Sequence, residues 1–197
     1  FRLGRIPRLI IFVIFFLIKT FNCSDGGVPS ASATVIKSEL HLTNVQFGTY
    51  GSIVQIGRSI GTFLVMILLN YFNRKYVIFI ALLVKCSSFL IYLVTGNYII
   101  IMIFRFIQGL YHVFSYVYFP AWVDQFGLQN FKTLMTSFMQ IASVIGSVFG
   151  FSYTTFIGPH NWKWGFATLA FCILPLNFIL LFLPSKYFHS SRKIFII

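Results

Sequence analysis

Six apolar stretches, about 20 residues long or longer and separated by short polar joints, dominate this sequence. An α-helix rises about 1.5 Å per residue, so about 20 residues cross a hydrocarbon core roughly 30 Å thick. A mean hydropathy of +0.86 and a charged fraction of 9% fit a chain whose outer surface meets lipid rather than water. The stretches are Leu9 to Ile36, Gln46 to Leu69, Tyr76 to Thr95, Tyr98 to Val123, Thr133 to Ile157 and Trp164 to Leu183. Membrane barrels need short strands of alternating polarity, whereas these runs are long and continuously apolar. The expected fold class is all-α, integral to the membrane, with residues 1–184 forming a six-helix bundle and 185–197 a basic tail or the start of a longer loop.

Basic residues resist translocation, so the short joints report orientation. With both termini in the cytoplasm, that side holds Arg2, Arg5, Arg8, Arg74, Lys75, Lys132, Lys186, Arg192 and Lys193, against Lys37 and Lys163 on the other, nine to two. This asymmetry absorbs most of the net charge of +12, so no nucleic-acid partner is called for. The plasma membrane and internal membranes are equally compatible with these spans. Cys23, Cys86 and Cys172 lie far apart, in or beside apolar runs, without metal-binding spacing. The apolar run after Arg8 is a retained first span rather than a signal peptide, because five more spans follow. The sequon at Asn22 abuts that run, where a glycan would have to enter the bilayer.

No joint is long enough to fold as a separate domain, and no Ser/His/Asp, HExxH or phosphate-loop spacing occurs. The chain is therefore expected not to be an enzyme and to need no metal or cofactor. Function must lie between the helices, at the polar residues inside the spans, since an ionisable group in hydrocarbon is costly unless it faces a partner or a cavity. These are Lys19, Asp25, Arg58, Lys85, Arg105 and His112. Lys19 and Lys85 have stems long enough to snorkel. Asp25 sits where Gly26, Gly27 and Pro29 weaken the first span, and broken helices at membrane depth line cavities. Arg105, Gln108, Gly109 and His112 share one helical face. Asp25, Arg105, Gln108 and His112 are thus the candidate substrate or proton sites. Gly57 with Gly61 and Gly146 with Gly150 have the spacing of close helix crossings, in the middle helix of each three-span unit.

These residues carry a family resemblance. The segment from Phe21 to Lys193 resembles the N-terminal six-helix half of a major facilitator superfamily transporter, and more narrowly its spinster-like branch. Asn70, Tyr71, Phe72, Asn73, Arg74 and Lys75 are similar to the family's loop signature after the second span; Arg105, Gln108 and Gly109 match its RxxQG pattern. Asn22, Asp25, Gly27 and Val28 resemble the first-span run of spinster-like carriers, and Trp162 to Trp164, Pro120 and Asp124 are softer matches. The resemblance implies two inverted three-helix repeats, a buried Asp25 that pairs with Arg105 or binds a proton, and a gating loop at Asn70, Asn73, Arg74 and Lys75. It departs at Asn70, where the family has Asp; at Met66, where it has Gly; at Gly26, where it has Arg; and at His112, where spinster-like members have Glu. An imidazole then stands in for a carboxylate.

A complete carrier of this kind is implied to have twelve spans that rock around a central solute. The expected activity is transmembrane transport: half of a secondary active, proton- or ion-coupled carrier of a small organic or lipid-like solute, working by alternating access. Its partners are the bilayer, a small-molecule solute, and a missing second half or a second copy. An oligomeric six-helix channel, or a transport-inactive scaffold or truncated product, is the alternative. A mitochondrial carrier is excluded because no proline opens a PxDxxK pattern.

Overall fold

A computed structural model describes residues 5–188. Arg2, Arg192, Lys193 and the rest of the 189–197 segment lie outside the described residues, so the structure bears on only part of the expected charge asymmetry. Eight α-helices are present among those residues: α1 (Arg5–Cys23), α2 (Gly27–Ala31), α3 (Ala33–Glu39), α4 (Asn44–Tyr71), α5 (Arg74–Val94), α6 (Tyr98–Phe126), α7 (Lys132–Ile157) and α8 (Trp162–Phe182). The all-α membrane class expected from hydropathy holds, with six segments long and apolar enough to cross a bilayer. Large apolar side chains such as Phe63, Ile80, Phe171 and Phe182 point outward, as they would toward acyl chains.

The first span is not the continuous Leu9 to Ile36 helix. α1 passes through a 3-10 turn at Ser24–Gly26 into α2, Ser32 leaves helical geometry at φ −117°, and α3 restarts at Ala33. Pro29 has no N–H to donate back to the Asp25 carbonyl, which accounts for the tightened turn at that level. The membrane-length segment ends at Ala31.

Helix contacts repeat with an internal two-fold. The second span, α4, packs along the fourth, α6; the fifth, α7, packs along the first, α1 and α2; the third, α5, packs along the sixth, α8. Exchanging spans 1, 2 and 3 with 4, 5 and 6 maps the first of these pairs onto the second and returns the third to itself. The expected glycine pairs sit at the two equivalent crossings. A Cβ on Gly57 or Gly61 would meet the carbonyl oxygen of Phe106 or Leu110 at 2.5 Å, and one on Gly109 would lie 3.1 Å from the Gly57 Cα. At the other crossing, a Cβ on Gly146 would lie 3.0 Å from the Cys23 Cβ, and one on Gly150 or Gly27 would strike the opposing backbone. Only backbone without side chains fits at these distances.

Asparagine and threonine caps start the second, third and fourth spans. Thr43 and Gln46 form a capping box on α4, while Asn73 and Asn97 accept from the second backbone N–H of α5 and α6. Residues 185–188 fold back onto the bundle: the Trp122 indole donates to the Tyr187 carbonyl at 2.8 Å, and Phe188 packs edge-on against Phe15.

At the end opposite the termini, Glu39 ties α3 to α8. It accepts from the Trp162 indole at 2.7 Å and lies 2.7 Å from the Lys163 ammonium. Partial burial alone would raise the Glu39 carboxyl, but these two donors outweigh it and hold it below its ordinary value of 4.5. A lowered native value stabilises the fold above the unfolded value, and that gain is lost as pH falls through the native one. Below pH 4.5 the melting temperature of the wild type is therefore expected to drop more than that of Glu39→Gln, by a few degrees at most given the exposure of the pair. Parallel melts of the two proteins in detergent across pH 3 to 7 (about that range) check it.

Candidate functional site

The break in the first span delivers Asp25 to the centre of the bundle, where its side chain is 3% exposed. Its partner is Lys85 on α5, not Arg105. The Lys85 ammonium lies 3.1 Å from Asp25 Oδ2, donates to the Asn22 carbonyl at 2.9 Å and stands 2.7 Å from His112 Nδ1. An ammonium has three protons and no lone pair, so these contacts use all of its donors. His112 Nδ1 must then accept, which places the imidazole proton on Nε2 and makes the ring neutral. His112 Nδ1 is also 3.8 Å from Asp25 Oδ2. Lys85 at 1% exposure therefore does not snorkel; it is the counterion of the buried carboxylate.

The expected polar stripe on α6 is present and buried. Arg105 donates to Gln108 Oε1 at 3.0 Å, and its guanidinium carbon lies 4.8 Å from the Tyr50 ring centroid and 5.4 Å from that of Phe166. Gly109 occupies the crossing with α4. Asn22 and Ser115 hydrogen-bond across the first and fourth spans, and Ser115 donates to the His112 carbonyl at 3.0 Å. Lys19 is fully buried with its ammonium 4.6 Å from the Tyr116 ring centroid.

A cavity of about 310 Å³ opens beside this cluster, between the first span and α4, with Arg105 reaching in from α6. Asp25, Ser30, Tyr50, Gln55, Arg58 and Arg105 supply its polar lining; Phe47, Val54 and Pro29 supply apolar wall. Asp25 Oδ1, Tyr50 Oη and the Nε atoms of Arg58 and Arg105 are buried without hydrogen-bond partners. Four unpaired polar atoms on residues that line one cavity leave hydrogen-bonding capacity beside it, which a polar occupant takes up only once those side chains turn toward it. His112, Gln108 and Lys85 stand behind this wall rather than in it. Arg58 was legible only as one of several charges in a span, and Lys85 as a long-stemmed lysine.

The loop between α4 and α5 does structural work at the bundle end that carries the described termini. Asn73 caps α5, accepting from Lys75 N at 3.2 Å. Arg74 and Lys75 are both buried. Lys75 donates to the carbonyls of Leu181 and Leu183 at 2.7 and 2.5 Å, satisfying acceptors left over at the end of α8. Arg74 reaches Gln125 Oε1 at 3.3 Å. Asn70 lies in the last turn of α4 and is half-buried. Among the described residues, no three His, Cys, Asp or Glu side chains converge as a metal site would need.

Comparison with known proteins agrees with this architecture. The model of the Major Facilitator Superfamily matches residues 8–195. Solute carrier family 22 member 2 of Rattus norvegicus is 24% identical over 162 residues, covering 81% of this chain and 28% of that protein. Sugar transporter ERD6-like 16 of Arabidopsis thaliana is 28% identical over 167 residues, covering 84% of this chain and 33% of that one. Among solved structures, the proton:xylose symporter XylE bound to 6-bromo-6-deoxy-D-glucose superposes with a TM-score of 0.78 at 18% identity, covering 88% of this chain and 44% of that one. This chain thus spans about a third or less of the length of the curated relatives and less than half of the solved carrier. With a family match along nearly its whole length, the chain belongs to the Major Facilitator Superfamily.

Proposed function

We propose that this six-helix unit is one half of a secondary active carrier that moves a small organic solute by alternating access, with proton movement at Asp25 coupled to the cycle. The observation that carries the reading is the Asp25–Lys85 pair at the edge of a cavity about 310 Å³ in volume. A second six-helix half would close the open side of that cavity. In this reading both termini are cytoplasmic, and the α4–α5 loop, pinned by Lys75 to the end of α8, is the element that releases as the halves rock.

The cluster gives a proton a defined effect. A proton on Asp25 cancels the charge that holds Lys85, freeing one ammonium donor beside the cavity while His112 Nδ1 still accepts from Lys85. Groups that face Asp25 are Lys85 from α5, His112 and Arg105 from α6, Arg58 and Tyr50 from α4, and Cys23 from α1. The narrower spinster-like placement is carried by Asn22, Asp25, Gly27, Val28 and the 105–109 stretch alone. The relatives above bear solute-carrier and sugar-transporter names, so the solute is not taken from that branch.

Flux measurements on the protein in liposomes test this. Uptake of labelled solutes from a panel of sugars, polyols, organic acids and organic cations is expected to saturate and to move protons into a trapped pH dye. Arg105→Met is expected to lower uptake at least tenfold, about 1.4 kcal/mol of lost binding, with folded protein unchanged. Asp25→Asn is expected to abolish the dye signal. Ohmic currents without saturation would favour the channel reading instead.

A further inference from the structure

Resting on that transport reading, we infer that the solute bears a negative charge, a carboxylate or phosphate held between Arg58 and Arg105. The charge inventory of the membrane interior carries the argument. Away from the span ends, the described spans hold Lys19, Arg58, Lys85 and Arg105 against a single acid, Asp25. Asp25 and Lys85 neutralise each other at 3.1 Å. No described acid is left to balance the two arginines that line the cavity.

Both guanidinium groups have unused capacity. Arg58 makes one hydrogen bond, to Gln55 Oε1 at 3.3 Å, and its Nε is buried without a partner. Arg105 bonds Gln108, and its Nε is likewise without a partner at 5% exposure of the residue. A guanidinium fork matches the two oxygens of a carboxylate or phosphate, and a buried cation such as Arg105 left unpaired is costly, whereas Arg58 is half-buried at the cavity. An organic cation would enter against two like charges. A neutral polyol would leave the buried Arg105 charge unbalanced. An anion compensates both charges, while Ser30 and, once their side chains turn toward the cavity, Asp25 and Tyr50 remain for its hydroxyl groups. The volume of about 310 Å³ is at the small end of ligand pockets, which suits a compact headgroup or a sugar acid.

Thermal melts of the protein in lipid nanodiscs with four probes test the inference without requiring flux: gluconate, lysophosphatidate, glucose and choline. At least one of the two anions is expected to raise the melting temperature, with glucose and choline inert. Arg58→Gln is expected to raise the half-saturating concentration of that anion at least tenfold, and Arg58→Lys less. Gluconate acting alone identifies a soluble acid, and lysophosphatidate acting alone a lipid phosphate; either supports the assignment. Stabilisation by glucose or choline, a melt moved by none of the four probes, or an anion effect untouched by Arg58→Gln overturns it. Anion binding with this arginine dependence but no uptake in liposomes would instead sink the transport reading and leave the anion site standing.

Discussion

Lys85→Met alone is expected to destabilise the protein by about 3–5 kcal/mol, while Asp25→Asn combined with Lys85→Met recovers most of that loss. The single change removes the ammonium that sits 3.1 Å from Asp25 Oδ2 and leaves a carboxylate whose side chain is 3% exposed. It also strips the donor from the Asn22 carbonyl and from His112 Nδ1. In the double variant no charge remains to be compensated, and replacing both members of a buried pair by neutral groups of similar size is commonly close to neutral. Asp25→Asn alone leaves the Lys85 cation with two of its three acceptors and one amide oxygen, so it falls between the two. Unfolding in a denaturing detergent, followed by loss of helical circular dichroism, reads all four proteins. A Lys85→Met variant as stable as wild type would mean that the pair is not closed in the membrane, and the site geometry would have to be redrawn.

The same cluster shows where sequence reasoning stops. Span number and class were legible because about 20 apolar residues have one physical use, and the polar stripe of Arg105, Gln108, Gly109 and His112 was legible because a helix repeats every 3.6 residues. Both are properties of one segment. The partner of Asp25 is not: Lys85 lies in another span, and a lysine in an apolar run looks the same whether it snorkels outward or turns inward. Arg105, three spans on in sequence, was the expected partner through family resemblance, yet it packs on Tyr50 and Phe166 instead. The break at Asp25 was signalled by Gly26, Gly27 and Pro29, whereas the restart at Ala33 was not, since Ser32 carries no strong breaker chemistry. Lys75 was expected as a gating residue on a loop; its burial against the end of α8 depends on a helix more than 100 residues on.

The glycine crossings make the strongest packing prediction. Gly150→Ala is expected to cost about 1–3 kcal/mol or more, whereas Gly26→Ala, one residue past Asp25, is expected to leave stability within about 0.5 kcal/mol. At Gly150 an added Cβ would lie 2.8 Å from the Ser24 carbonyl carbon and 3.1 Å from its Cα, and backbone atoms of two packed helices have no rotamer with which to yield. The fifth span must move off the first. Ser24 directly precedes Asp25, so that movement also pulls the carboxylate away from Lys85. At Gly26 nothing lies within 4 Å of the added carbon, and φ of −74° suits any residue. The two-fold adds a second arm: Gly109→Ala at the α4–α6 crossing meets the same obstacle, with the Gly57 Cα 3.1 Å away and the Val54 carbonyl carbon at 3.1 Å. The two crossings share no residue, so the costs of Gly109→Ala and Gly150→Ala are expected to add within about 0.5 kcal/mol. Monodispersity on size exclusion and the melting temperature in detergent measure each variant. If Gly150→Ala behaves like Gly26→Ala, the two spans do not touch through their backbones, and the internal symmetry drawn from these contacts loses one of its two crossings.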